Sequence, residues 1–426
     1  MSGVECQTMS RLLREANALR CLVSAETGTR RDGPLSGLTY LAKDVFDATG
    51  RAPSLGLRIE DRQVRIEDRQ VPARDAAVLD IIDAAGAIRL GFAEMTALAC
   101  EPSGSNPLRQ RPLNPWNADK ICGGSSSGSA VAVAAGLVDA AIGSDTAGSL
   151  RIPAHCCGVT AWKPTPGLVP TDGAMALAPS LDVLGFLARD AAMLRRIAGL
   201  FVRGTSVSQR LNVAVAKDLI EEAAPDIGQA VADLATQLAM QGYDPVEAPH
   251  APLLADCDPS VIAVLQWETS EQHGWRLADP DHLDTGLQAR LRKGQAIDAA
   301  SAREAKDRLR TIADTNPVLR DHDVILLPVM SMTTPEIAVC EPGSPRFSAR
   351  TLYELSRLTR FVNGLGLPTV ALPCGFDGEG MPIAAQLVGR PGSDLALIDL
   401  AVTLQSTTNW HGREPAALKT ILETAA

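Results

Sequence analysis

Apolar positions along this chain recur with two periods. Strand-length runs occupy 211–216 (LNVAVA), 324–329 (VILLPV), 369–373 (TVALP) and 383–388 (IAAQLV), and helix-period segments occupy 226–241, 299–313, 348–362 and 394–405. Elements alternating in this way predict an α/β protein, a sheet covered by helices on both faces. Nearer the N-terminus, 123–167 is rich in Gly and Ser, a composition suited to backbone that must approach a ligand closely. Within it, 129–137 reads as helix and 138–142 as a short strand. No Pro- or Ser-rich linker interrupts the pattern, so residues 1–426 are read as one domain.

Composition narrows the function. The 426 residues are 46% apolar, enough for a sizeable core, and carry a formal net charge of -10. That charge argues against nucleic acid or an anionic membrane surface as the main partner, since both need a basic footprint. There is no apolar stretch of spanning length and no signal-like h-region, which makes the cytoplasm the expected location. Nine scattered cysteines form no CxxC pair, and six histidines form no HExxH, so neither a disulfide framework nor a metal or other cofactor is expected. Without a metal, any hydrolytic chemistry would need a nucleophile from the chain itself. One oddity is a tandem copy of RIEDRQV at 58–64 and 65–71, four charges in each, read as a duplicated solvated loop or helix.

The chemistry concentrates in 123–164. Two Ser-rich turns, GGSSSGS at 123–129 and GSDTAGS at 143–149, are separated by the helix-like and strand-like runs, which places each turn at the end of an element. In the second, the backbone N–H groups of Thr146, Ala147 and Gly148 can face a developing oxyanion beside Ser149. The small residues serve equally well simply to permit tight packing.

The runs GGSSSGS and GSDTAGSLRIPA (143–154), with LAKDVFDATG (41–50) upstream, resemble the three catalytic elements of the amidase signature family, in the family's order. Ser125 and Ser149 stand 24 residues apart, the family's spacing. RPLNPW (111–116), HCCGVTAWKPTPGLVP (155–170), DVILLPV (323–329) and GLPTVALPCGFDGEGMPIAAQLVGRP (366–391) extend the similarity from about residue 35 to 404, weakest over 203–322. The resemblance implies a large central mixed sheet, a signature core at 35–190, a variable middle segment at 203–322 and a C-terminal completion of the sheet at 323–408.

It also implies roles. Ser149 becomes the nucleophile, Ser125 the bridging serine and Lys43 the base, with the backbone of Thr146, Ala147, Gly148 and Ser149 as the oxyanion hole. A lysine can act as a base only when neutral, so Lys43 is expected to be buried against Ser125, with Asp44 turned to the other face. The family's cis peptide would fall at Gly124–Ser125. Ser126 is expected to support Lys43 from a second position, and Asp145 and Arg151 to brace the turn. The implied partners are a small amide substrate and water, with a homodimer left open.

Ala147 stands where the family commonly has glycine, which adds a methyl beside the oxyanion hole, and one RIEDRQV copy reads as an insertion. Three other readings compete. Gly124-Ser125-Ser126-Ser127-Gly128 satisfies the GxSxG elbow, which would make Ser126 the nucleophile but demands a preceding strand that NPWNADKIC does not offer. An amide-hydrolysing component of a tRNA-dependent amidotransferase would need a docking surface. A phosphate-binding protein would need GxxxxGK[ST], which is lacking. The same relay would also accept carbamates and esters.

Overall fold

Successive residues of the central strands enter different apolar clusters. Tyr40 and Ala42, Ala140 and Ile142, and Leu184 and Phe186 join one cluster, whereas Leu41, Ala141 and Leu187 join another. This is the period-2 signature of a sheet buried on both faces. The computed structural model describes residues 3–58, 71–204 and 211–425. All of the RIEDRQV repeat except Arg58 and Val71 lies outside them.

The strands are β1 (Leu22–Ala25), β2 (Thr39–Lys43), β3 (Ile88–Ala93), β4 (Ala140–Asp145), β5 (Thr160–Lys163), β6 (Val183–Ala188), β7 (Val213–Ala216), β8 (Val246–Ala248), β9 (Val324–Pro328), β10 (Thr369–Phe376) and β11 (Pro382–Gly389). They form one mixed sheet of eleven strands among the described residues, ordered β1-β3-β2-β4-β6-β5-β10-β11-β9-β7-β8. β2 runs parallel to both β3 and β4, and β7 to β8 and β9; the other pairs are antiparallel.

Helices Ala77–Ala84, Ala191–Ala198, Pro225–Met240 and Asp394–Ser406 cover one face, and Ser127–Ala134 and Arg151–Cys157 cover the other. The middle of the chain adds Ala251–His273, on which Thr285–Gln295 and Ala299–Thr315 both pack. No helix among the described residues is long and apolar enough to cross a membrane.

One predicted helix is broken. The 348–362 pattern forms Ala349–Leu355 and Arg360–Gly364, with a turn between. The Leu358 carbonyl accepts from Gln386 Nε2 at 2.7 Å, and the Thr359 carbonyl is shared between Arg151 Nη1 at 2.9 Å and the Val362 N–H at 3.2 Å, where the second helix starts. Periodicity could not foresee those distant partners.

Candidate active site

β2 ends at Lys43, and its parallel neighbour β4 ends two steps further along at Asp145, so the two strands deliver their last side chains to the same end of the sheet. Lys43 is fully buried. Its Nζ donates to Ser125 Oγ at 2.7 Å and to Ser144 Oγ at 2.9 Å. Burial pushes the ammonium down to about 7, while the charges of Asp145 and Asp182 and the Cys100 thiol resist that fall. Asp44 takes no part, because Arg51 and the Ser54 hydroxyl hold its carboxylate and the Ser54 N–H donates to it at 3.0 Å.

Ser125 is presented by a turn that needs glycine. Gly123 adopts φ +73°, and a Cβ on Gly124 would lie 2.5 Å from the Glu101 carbonyl. The Gly124–Ser125 peptide is cis. Pro102 O accepts the Gly124 N–H at 2.7 Å, and the helix Ser127–Ala134 then carries the chain away. No strand leads directly into Gly124, since 94–123 contains none. The nucleophile-elbow alternative therefore lacks its structural frame. Ser126 does not supply the second hydroxyl to Lys43. Its hydroxyl donates to the Ser144 carbonyl at 3.3 Å, and Ser144 itself takes the position expected of Ser126. The Ser126 N–H donates to Ser149 O at 3.2 Å and ties the two serine turns together.

The second turn is built round a buried ion pair. Arg151 and Asp145 are both fully buried, with Arg151 Nη2 2.9 Å from Asp145 Oδ1 and Nε 3.1 Å from Oδ2. The same carboxylate accepts the N–H groups of Gly148 at 2.8 Å and Leu150 at 3.1 Å, one on each side of Ser149. Burial alone would raise the Asp145 pKa. The Arg151 charge and hydrogen bonds, the Lys163 charge and the Leu150 N–H outweigh it and hold the group well below the usual carboxylate range. Ser149 is left partly exposed at the start of the helix Arg151–Cys157. Because the Gly148 N–H is committed to Asp145, the N–H groups of Thr146, Ala147 and Ser149 are the remaining candidates from the turn for an incoming oxyanion.

Three residues from the C-terminal part of the chain complete this frame, and none stood out in the sequence. Thr359 Oγ1 donates to Ala147 O at 2.6 Å, Asn363 Nδ2 to Asp145 O at 2.9 Å, and Gln386 Oε1 accepts from Arg151 at 3.1 Å. A second buried lysine, Lys163, is also lowered to about 7, by burial first and then by the Arg151 charge; its Nζ reaches Pro164 O at 3.2 Å. Among the described residues no group of three or more His, Cys, Asp or Glu side chains is placed to hold a metal ion.

This arrangement can move a proton between two hydroxyls and a buried amine beside a turn that has free N–H donors. A family model described as Amidase matches residues 7–398. The chain is 31% identical to a Glutamyl-tRNA(Gln) amidotransferase subunit of Roseiflexus castenholzii, over 97% of this chain and 92% of that protein. It is 28% identical to Amidase 1 of Oryza sativa, over 88% of this chain and 91% of the relative. Among solved structures it is similar to a crystal structure of an amidase, with TM-score 0.81 and 26% identity over 94% of this chain and 95% of that one.

Proposed function

Because this chain belongs to the amidase family, we propose that it hydrolyses a small carboxamide through an acyl-enzyme on Ser149, with Ser125 and Lys43 relaying the proton. The observation that carries this reading is the 2.7 Å contact between Ser125 Oγ and a fully buried Lys43 whose pKa lies near 7. A lysine poised there is neutral in a large fraction of molecules at neutral pH, so it can accept a proton and later return it.

In acylation, Ser149 Oγ bonds to the carbonyl carbon as its proton passes to Ser125, whose own proton passes to the Lys43 amine. The resulting oxyanion is met by the N–H groups of Thr146, Ala147 and Ser149. On collapse the C–N bond breaks, and the Lys43 ammonium returns the proton through Ser125 to the leaving nitrogen. Water then attacks the acyl carbon by the same relay and releases the acid, so that one amide and one water give one acid and one amine. Carbamates and esters satisfy the same steps. We place the enzyme in the cytoplasm.

The test is intact-mass detection of a serine-directed phosphonate on the protein. One adduct is expected, lost in Ser149→Ala; an adduct that survives there and disappears in Ser126→Ala would overturn the assignment. The 31% identity to an amidotransferase component supports a second reading, an amide-hydrolysing polypeptide that serves a partner. Stoichiometric co-purification of partner proteins, with amide cleavage dependent on them, would establish it in place of the free-standing enzyme.

A further inference from the structure

Antiparallel pairing sets Asp145 of β4 opposite Val183 of β6, so Thr146 and Asp182 face one another one step beyond the paired strands. Asp182 Oδ1 accepts the Thr146 hydroxyl at 2.6 Å, and Oδ2 accepts the N–H groups of Leu177 at 2.8 Å and Ala178 at 3.0 Å. All three partners are donors, as an ionised carboxylate requires. Burial raises the Asp182 pKa, and these three donors oppose the rise. The same segment is held from the helix Ala251–His273: Glu268 Oε2 accepts the Ser180 N–H at 2.9 Å, and His273 Nε2 lies 2.9 Å from Ala176 O. Ser144 and Thr146 are two residues apart at the end of β4. Lys43 is bound to the first and Asp182 to the second.

The charges at this end of the sheet are unevenly compensated. Those facing Lys43 are Asp145 and Asp182, with the Cys100 thiol beside them, and those facing Asp182 include Glu268. Asp145 is paired with Arg151, with Lys163 also close by, and Glu268 is paired with Lys306 at 2.5 Å. Among the described residues, Asp182 makes no ion pair. Of the two carboxylates facing Lys43, it is the one that no ion pair neutralises.

We propose that Asp182 is a positioning residue for amide cleavage, its carboxylate fixing the Thr146 side of the nucleophile turn and supplying the uncompensated negative charge that faces the Lys43 amine. The proposal rests on the Ser149–Ser125–Lys43 reading. Without that charge, Asp145 would be left as the carboxylate opposing the effect of burial, and less Lys43 ammonium would form to protonate the leaving amine. With it, the lysine serves both half-reactions.

The test compares pH profiles of kcat/KM for the wild-type chain and Asp182→Asn. The wild-type acid limb is expected near pH 7, where Lys43 loses its proton. A negative charge raises a lysine pKa, so removing it should shift that limb to lower pH by about one unit, with a drop in kcat. A variant that loses activity equally at every pH, with the limb unmoved, would overturn the proposal. Thr146→Val keeps the Asp182 carboxyl with its Leu177 and Ala178 N–H donors and removes the hydroxyl. It should lower kcat about tenfold with an unmoved limb, and an unchanged kcat would overturn the proposal even if Asp182→Asn does not fold. Ser149→Ala and Lys43→Ala in the same assay separate the two layers: activity retained there rejects the relay itself, whereas their inactivity with an unshifted Asp182→Asn profile rejects only the role of Asp182.

Discussion

Replacing Arg151 by methionine should unfold this protein far more readily than its single lost charge suggests. The side chain is fully buried, and its removal leaves the Asp145 carboxylate with the Gly148 and Leu150 N–H groups and the more distant Lys163 charge but no ion-pair partner. It also strips a donor from Thr359 O, Gln386 Oε1 and Asn363 Oδ1. Removing one partner of a buried pair costs about 3–5 kcal/mol, because the other charge stays desolvated. Asp145→Asn should cost somewhat less, since those three acceptors continue to solvate Arg151. The double variant removes both charges and should recover about 2 kcal/mol or more relative to the sum of the singles. Urea unfolding followed by tryptophan fluorescence measures all three.

The pH dependence has a fixed sign. Asp145 is depressed in the folded state, so its contribution is fully present above the unfolded value of about 3.9 and is lost as pH falls through the folded one. Arg151→Met raises the folded value and should therefore move acid unfolding to higher pH. Activity should not return in the double variant, because the Gly148 and Leu150 N–H groups bond to different oxygens of Asp145, and asparagine puts an NH2 donor in place of one of them. Single variants that cost under about 1 kcal/mol, or a double variant that equals their sum, would refute the reasoning.

Two substitutions probe the turns more locally. Gly148→Ala places a Cβ 2.3 Å from Thr359 Oγ1 and 2.9 Å from Ile152 Cδ1, at φ +129°; it should cost about 2 kcal/mol or more in a thermal melt and displace Ser149, lowering kcat at least tenfold. Ser144→Ala removes one of the two hydroxyls on Lys43 and should lower kcat/KM by roughly tenfold, about 1.4 kcal/mol, with little change in Tm.

Local pattern locates the long elements closely. The segment read at 226–241 forms a helix at Pro225–Met240, and the one read at 394–405 forms Asp394–Ser406. It misses what distant partners decide. Nothing near 348–362 in sequence announces that Arg151 and Gln386 will capture the 358 and 359 carbonyls, because the contacts span 208 and 28 residues. The motifs likewise point to Lys43, Ser125 and Ser149, but not to the groups that hold them. Ser144 looks like any serine in GSD until parallel pairing of β2 and β4 brings Lys43 to it. Gly148 looks like an oxyanion donor in sequence, which cannot show that Asp145 has already claimed its N–H.

The serine spacing has a mechanical explanation. From Ser125 the chain leaves along the eight-residue helix Ser127–Ala134, turns, and returns along the six residues of β4. The outward leg rises about 12 Å at 1.5 Å per residue. The return covers about 20 Å at 3.3 Å per residue. With the connecting residues 135–139 making up the difference, the two turns meet at one end of a single helix–strand excursion, where the Ser126 N–H closes onto Ser149 O. Small residues are needed at both turns for the backbones to come this close: a Cβ on Gly143 would strike Ser126 Oγ at 2.7 Å, and one on Gly123 would strike the Pro153 backbone at 2.8 Å. The Gly- and Ser-rich composition is therefore a packing requirement and a chemical one together. The close approach that small residues permit also brings the Ser125 hydroxyl, bound to the buried Lys43 amine, beside the turn that carries Ser149.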